Sequence, residues 1–425
     1  MVHTNLPERP GYPVSINIEG DNMKDRMIMR NRLFIFTIIF IFYWAGGFTQ
    51  TSHGTDDFTF YTPPKEKTPF PLVPQRPIKN VILLIGDGMA LVHIAATRTL
   101  VLGAQGRLHI ELIPVTGIID HYAADEFVSG SAATATSLAT GYKTNGGMIG
   151  VLPDSTPALS ILEAAQDKGM ATGLVATVTI THATPAAFAA HVLDRDLEDQ
   201  IAEQLLKSKV NVLLGGGRAL FKPGIPGYDM TRTDGRDLTV EARNAGYEYV
   251  ETKEELTAAK GDNLLGLFSD GILFNRKSEP TLAEMTDKAL EILSRNENGF
   301  FLMVEGSQID WGAHDNDIQY TIREQLHFDL AIKSVVDFAM NNGETLVVVT
   351  SDHEAGGMFI SDKPPNQLDR NINIQWGSTG HTGTPVPVFA YGPHAERFMG
   401  WYDNTDIPKK IAELLKISEF PRKIK

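Results

Sequence analysis

From Asn80 onward, short and nearly continuous apolar runs alternate with longer amphipathic patterns, and that alternation excludes most architectures. The runs Val81–Ile85, Ala171–Val178, Asn211–Leu214, Phe300–Val304, Thr345–Thr350 and Val386–Tyr391 read as strands. Helical patterns fall between them at Ala158–Lys168, Leu197–Lys207, Thr281–Arg295, Thr321–Met340 and Asp406–Leu415. Strands apolar on both faces need cover on both sides. The pattern therefore predicts a three-layer α/β/α fold around a large, mostly parallel central sheet. Residues 216–280, richer in Gly, Pro and charge, read as an excursion from that sheet.

With 425 residues, 42% of them hydrophobic, the chain can bury a large core, as one large domain or as two or three. A formal charge of −14 leaves no basic stripe for phosphate backbones, so nucleic acid is not expected as a specific partner. Small anionic substrates respond to local charge and stay open. At the N-terminus, Lys24, Arg26, Arg30 and Arg32 precede the apolar run Leu33–Trp44, and Ala45-Gly46-Gly47 follows. This order predicts a cleavable signal within residues 1–47 and an exported protein, periplasmic or extracellular. The apolar run, about a dozen residues, is short of the roughly 20 that span a bilayer, although retention as an anchor is the competing reading. Met23, Met27 or Met29 would each place a start codon closer to the basic residues. The absence of cysteine excludes disulfides and lipid attachment at a cysteine. Residues 48–76, rich in Pro, Thr and Lys, read as a linker or N-terminal arm.

Several strand ends carry chemistry. Asn80-Val-Ile-Leu-Leu-Ile-Gly-Asp-Gly-Met89 delivers Asp87 to the carboxyl edge of a buried strand, where open α/β sheets place ligands. In isolation Asp87 is equally a turn residue. Val304-Glu-Gly-Ser-Gln-Ile-Asp-Trp-Gly-Ala-His314 brings Glu305, Asp310 and His314 to another strand end. Asp310 and His314 are four apart and share a helical face, a spacing that suits zinc, or alternatively a surface ion pair. Asp352 and His353 follow the strand Thr345–Thr350, and His381 sits between glycines just before Val386–Tyr391. Histidines at strand-end loops beside carboxylates and glycines fit metal ligation. Two zinc ions a few ångströms apart would clamp the attacking and leaving oxygens of a phosphoryl displacement.

Ser131 opens a helix of small residues, where it is either an N-cap or a nucleophile favoured by free N–H groups. Thr184 precedes a proline and either caps a helix or offers a hydroxyl to a hard cation. Arg195, between Asp194 and Asp196, is either an exposed ion-pair partner or a planar fork for phosphate oxygens.

Together and in this order, these segments resemble the alkaline phosphatase family. The resemblance runs from about Ile78 to Leu415 and takes in Leu213-Leu-Gly-Gly-Gly-Arg218, Arg236-Asp-Leu238, Leu282-Ala-Glu-Met285 and Tyr402-Asp-Asn-Thr405. It implies that residues 77–425 form the catalytic domain of a phosphomonoesterase acting on small phosphate monoesters through a phosphoserine at Ser131. One Zn²⁺ would be held by Asp310, His314 and His381, and a second by Asp87, Asp352 and His353. Asp87 would bridge to one Mg²⁺ that also takes Thr184 and Glu305, while Arg195 grips the phosphoryl oxygens. A homodimer is also what the resemblance suggests.

Two departures stand out. Many members carry, just before the nucleophile, an Asp that hydrogen-bonds the phosphate-gripping Arg; here the residue is Gly130. A looser Arg195 and fast phosphate release would follow. His182 and Trp311 stand near the third metal where other members carry Asp and Lys, which puts that ion's identity in question. A sulfatase is disfavoured, since the chain has no Cys and Ser131 is followed by Ala-Ala. A phosphodiesterase of the same superfamily and an inactive metal-binding module are the remaining alternatives.

Overall fold

The computed structural model describes residues 58–225, 232, 234–274, 277–361 and 372–424. The signal reading on residues 1–47 and the first part of the 48–76 arm lie outside the described residues.

Ten strands form one sheet: β1 Asn80–Gly86, β2 Val115–Asp120, β3 Ala171–Thr179, β4 Val212–Gly216, β5 Glu248–Val250, β6 Leu264–Leu267, β7 Phe300–Gly306, β8 Thr345–Thr350, β13 Val386–Tyr391 and β14 Gly400–Asp403. Their order is β14-β2-β13-β8-β1-β7-β3-β4-β6-β5. Only β13 pairs antiparallel within it, against both β2 and β8, so the sheet is mostly parallel as the apolar runs predict. Four short strands, β9 Glu354–Ala355, β10 Met358–Ser361, β11 Asn373–Trp376 and β12 His381–Thr382, form two separate pairs beside the site.

Every residue of β1, β7 and β8 is buried, because helices cover both faces. Val81, Leu83 and Ile85 face a core shared with Leu138, Ile161, Leu205 and Ile411. Ile82 and Leu84 face the opposite core, with Ile94, Met285, Leu326 and Val335. Alternate residues of one strand thus feed both layers. The helix predicted from Thr321 begins earlier, at Ile318, because the Asp317 carboxylate accepts from the N–H groups of Gln319 (2.9 Å) and Tyr320 (3.1 Å).

The 216–280 stretch differs from its reading as an excursion. Its short strands β5 and β6 extend the central sheet beyond β4, with β5 at the edge. Strands of three and four residues leave no periodic signal among glycines and charges. Residues 58–76 lie against the domain: the Tyr61 hydroxyl donates to Asp329 at 2.6 Å, and Phe60 stacks on His327 at 4.2 Å.

Parallel register decides where the site forms. Ile85 lies beside both Glu305 and Thr350, and Gly86 beside Gly306. The carboxyl ends of β1, β7 and β8 therefore deliver Asp87, Glu305 and Asp352 to one edge. Antiparallel β13 starts at that same edge, which brings His381 in from the other direction.

Candidate active site and metal centre

Asp87, Glu305, Asp352 and His353 are fully buried at this edge, with Asp310 nearly so. Such crowding of carboxylates is costly without a counter-charge. Burial, followed by the charges of Asp352, Asp310 and Glu305, pushes the Asp87 carboxyl well above the usual carboxylate range. Burial and the Asp352 charge push Glu305 up to about 8. Both oxygens of Asp87, both of Glu305 and the Thr184 hydroxyl are buried without a hydrogen-bond partner. Native interiors rarely leave such groups orphaned unless a ligand satisfies them. These orphaned oxygens fit cations.

His314 and His381 carry a second signature. The His314 Nδ1 lies 2.6 Å from the Thr379 carbonyl, and the His381 Nδ1 lies 3.1 Å from the Ser129 carbonyl. Carbonyl oxygens only accept, so in the neutral rings each Nδ1 holds the proton and each Nε2 presents a lone pair. The two Nε2 atoms are 3.0 Å apart and lie 3.2 Å and 3.5 Å from Asp310 Oδ1. Facing lone pairs beside a carboxylate, with both tautomers set by backbone carbonyls, are the environment of a metal site. Without the ion, the hydrogen bond to Asp310 raises His314 to about 9.

The second predicted set also converges. His353 Nε2 lies 3.2 Å from Asp352 Oδ2 and 3.4 Å from Asp87 Oδ1. Burial holds His353 down to about 4, so the ring is neutral and available as a ligand. Asp352 Oδ1 accepts from the N–H groups of Gly88 (3.2 Å) and His353 (2.9 Å), which fixes its other oxygen toward the centre. His353 and His381 stack with centroids 3.7 Å apart, so the two sets adjoin.

Ser131 is the first residue of the helix Ser131–Thr140, and the N-cap is Gly130. The serine is thus freed from capping, and its Oγ lies 3.2 Å from His353 Nε2. The first amides of that helix have no intrahelical partner and face the same region.

Arg195 forms no ion pair with its neighbouring carboxylates; its guanidinium instead donates to His182 Nε2 at 2.7 Å. This contact tethers Arg195 although Gly130 supplies no carboxylate. An accepting Nε2 puts the His182 proton on Nδ1, and burial followed by the Arg195 charge lowers the ring to about 3, keeping it neutral. A nitrogen of His182 also comes within 4.8 Å of ligand oxygens of Asp87 and Glu305. The two uses exclude each other, since a ring that accepts from Arg195 has no lone pair left for an ion. With the Arg195 contact kept, the third set is all oxygen, Asp87, Glu305 and Thr184, which suits a hard ion such as Mg²⁺. Trp311 packs its ring edge-on to His182 at 6.5 Å.

Two residues with no sequence signal also join the site. Glu354 accepts from the Thr382 hydroxyl and pairs with it across β9 and β12, tying the His353 loop to the His381 loop. Glu198 reads as an ordinary acid in a first helical turn, yet it accepts from two threonine hydroxyls beside His182.

The fold and the donor sets define a class of metal-dependent hydrolase built on a mostly parallel sheet, and comparison with known proteins specifies it. The family model for alkaline phosphatase matches residues 78–366 and 359–417. Alkaline phosphatase 4 of Bacillus subtilis (strain 168) is 36% identical over 420 residues, spanning 80% of this chain and 89% of that protein. The structure of alkaline phosphatase from the Antarctic bacterium TAB5 superposes with a TM-score of 0.74 at 36% identity, covering 81% of this chain and 100% of that one. A histidine-to-aspartate mutant of the TAB5 enzyme holds Mg in its M3 site; it covers the same shares at 36% identity and a TM-score of 0.73. The chain belongs to the alkaline phosphatase family. It is a metal-dependent phosphomonoesterase.

Proposed function

We propose that this enzyme hydrolyses phosphate monoesters through a phosphoserine at Ser131, with Arg195 gripping the transferred group. The observation that carries the reading is the Ser131 Oγ, 3.2 Å from His353 Nε2, at the start of a helix and beside the converged carboxylates. Asp310, His314 and His381 would hold one zinc, Asp87, Asp352 and His353 the other, and Asp87, Glu305 and Thr184 a magnesium. When bound, the ions supply the positive charge that favours a serine alkoxide and a departing alkoxide.

Ser131 Oγ forms a bond to phosphorus as the bond from phosphorus to the ester oxygen breaks, and the alcohol departs carrying the proton that the serine gives up. Water then displaces Oγ, so that inorganic phosphate departs and the serine regains its proton. Arg195 holds two phosphoryl oxygens through both steps, and the free amides at the helix start add donors to the same charge. Buried walls around Asp87, Glu305 and Asp352 exclude bulk water and strengthen these interactions.

Acid quenching of turnover with a labelled aryl phosphate should trap phosphate on Ser131. Label on another residue would overturn the assignment, and preferential turnover of the matching diester would move the enzyme to the phosphodiesterase branch. Export rests on residues 24–47, and N-terminal sequencing of secreted protein should begin near Phe48. Among the described residues no helix is long and apolar enough to cross a membrane. A homodimer is the family-based expectation, which sedimentation would test.

A further inference from the structure

Glu198 stands three residues after Arg195, in the first turn of the helix Glu198–Lys207. A carboxylate there ordinarily serves its own helix, complementing the dipole. This one reaches back to the sheet. Its Oε2 accepts from Thr179 Oγ1 at 3.1 Å, at the end of β3, and from the Thr181 hydroxyl. Thr181 precedes His182, whose Nε2 accepts from Arg195 at 2.7 Å. The contacts close a ring: Arg195 leads along the chain to Glu198, across to Thr181, along the chain to His182, and across to Arg195 again. Among the described residues the two hydroxyls are the hydrogen-bond partners of Glu198, and the Arg195 charge also reaches it through space.

We propose that Glu198 is a positioning residue for phosphate binding, locking the Thr181–His182 loop so that the Arg195 guanidinium is fixed before substrate arrives. The proposal rests on the reading of Arg195 as the phosphate grip. Hydroxyl-to-carboxylate bonds are charge-assisted and short, so they hold a loop better than neutral contacts do. A guanidinium already fixed loses less entropy on closing around phosphate. The Arg195 backbone is independently pinned, its N–H donating to the Gly147 carbonyl at 2.8 Å. Loss of Glu198 should therefore loosen the side chain without displacing the chain.

The test compares Glu198→Ala, Glu198→Gln and Arg195→Ala in metal-loaded enzyme, reading inhibition by inorganic phosphate, KM and kcat for an aryl phosphate, and zinc content. Glu198→Ala should weaken phosphate inhibition and raise KM by about two- to tenfold, the factor that freeing one long side chain carries, with a smaller change in kcat. Glu198→Gln should recover part of that loss, because an amide oxygen also accepts both threonine hydroxyls, though without the carboxylate's charge. Unchanged phosphate inhibition in a folded, fully metallated Glu198→Ala protein would overturn the proposal, as would a Glu198→Gln enzyme as impaired as Glu198→Ala. If Glu198→Ala does not fold, Thr181→Val removes one of the same bonds at equal volume and must weaken phosphate binding; no change there counts against the proposal too. Unaltered phosphate inhibition in Arg195→Ala would instead sink the reading of Arg195 itself, and this inference with it.

Discussion

The guanidinium of Arg195 donates to the Nε2 of His182 at 2.7 Å, so the group proposed to grip phosphate is tethered by a histidine rather than a carboxylate. This contact makes His182 a choice between holding Arg195 and ligating the third ion. His182→Asp removes the choice, since a carboxylate has oxygens for both. Mg²⁺ affinity in the variant should rise by tenfold or so, following the count of anionic oxygen ligands. Titration calorimetry on enzyme holding zinc only would measure it, and an unchanged Mg²⁺ affinity would mean that His182 contributes nothing to the third site.

From sequence alone, Gly130→Asp should supply the missing tether, and the structure reduces the expected gain. Gly130 has φ −101°, which any residue adopts, and an added Cβ would meet only His381, at 3.7 Å and 3.8 Å. Asp therefore fits. Because His182 already holds Arg195, phosphate inhibition should tighten by only a fewfold, below the tenfold that corresponds to about 1.4 kcal/mol. As an N-cap, Asp should also add a few tenths of a kcal/mol over Gly to the helix Ser131–Thr140. Phosphate inhibition constants and thermal melts on metallated protein check both effects; tightening of tenfold or more would show that His182 is a poor tether.

Chelation should abolish turnover and also lower the melting temperature, with Zn²⁺ and Mg²⁺ restoring both. The thermal effect follows from the carboxylates of Asp87, Glu305, Asp352 and Asp310, which lose their counter-charge while remaining buried. Calorimetry of the metal-free protein decides it. Full activity without metal would contradict the site.

His327, outside the proposed ligand sets, gives the fold an acid-sensitive contact. Its ring stacks on Phe60 of the arm, and burial followed by the Arg323 charge lowers it to about 4. A ring that stays neutral when folded gives up stability as pH falls below 6.5, its unfolded value, with the loss complete near 4. The loss is at most ~3 kcal/mol, because each tenfold change in proton affinity corresponds to about 1.4 kcal/mol. His327→Phe should flatten the decline in stability between those pH values, as read by denaturant midpoints at pH 7 and 4.5; an unaltered decline would assign the acid sensitivity elsewhere.

Much of the fold is legible in the sequence. The buried strands β1, β3, β7, β8 and β13 announce themselves as apolar runs because both faces are covered. β2 and β14 escape because β14 lies at an edge and β2 beside it, with mixed burial and polar residues among the apolar ones. The proposed metal ligands are legible because acid and imidazole residues follow strands directly, so that sequence order places them at one edge. The pairing of His182 with Arg195, and of Glu198 with Thr179 and Thr181, is not. These contacts join loops whose relative approach depends on how β3 and the helix Glu198–Lys207 pack, and no local pattern encodes that.

The placement of β1 between β7 and β8 has a consequence for how the protein comes to exist. Asp87 is made early in synthesis, Glu305 far later, and Asp352 later still, yet all three must sit at adjacent strand ends before the proposed ligand sets can form. Pairings between such distant segments form slowly, because the intervening chain must first be gathered in. No amino-terminal fragment ending before β8 contains both Asp87 and Asp352, so a partly synthesised chain lacks the complete proposed set of ion ligands. With the proposed ligand sets, zinc that resists a chelator would therefore mark the docking of β7 and β8 beside β1, not that of β13 and β14, which carry no proposed ligand.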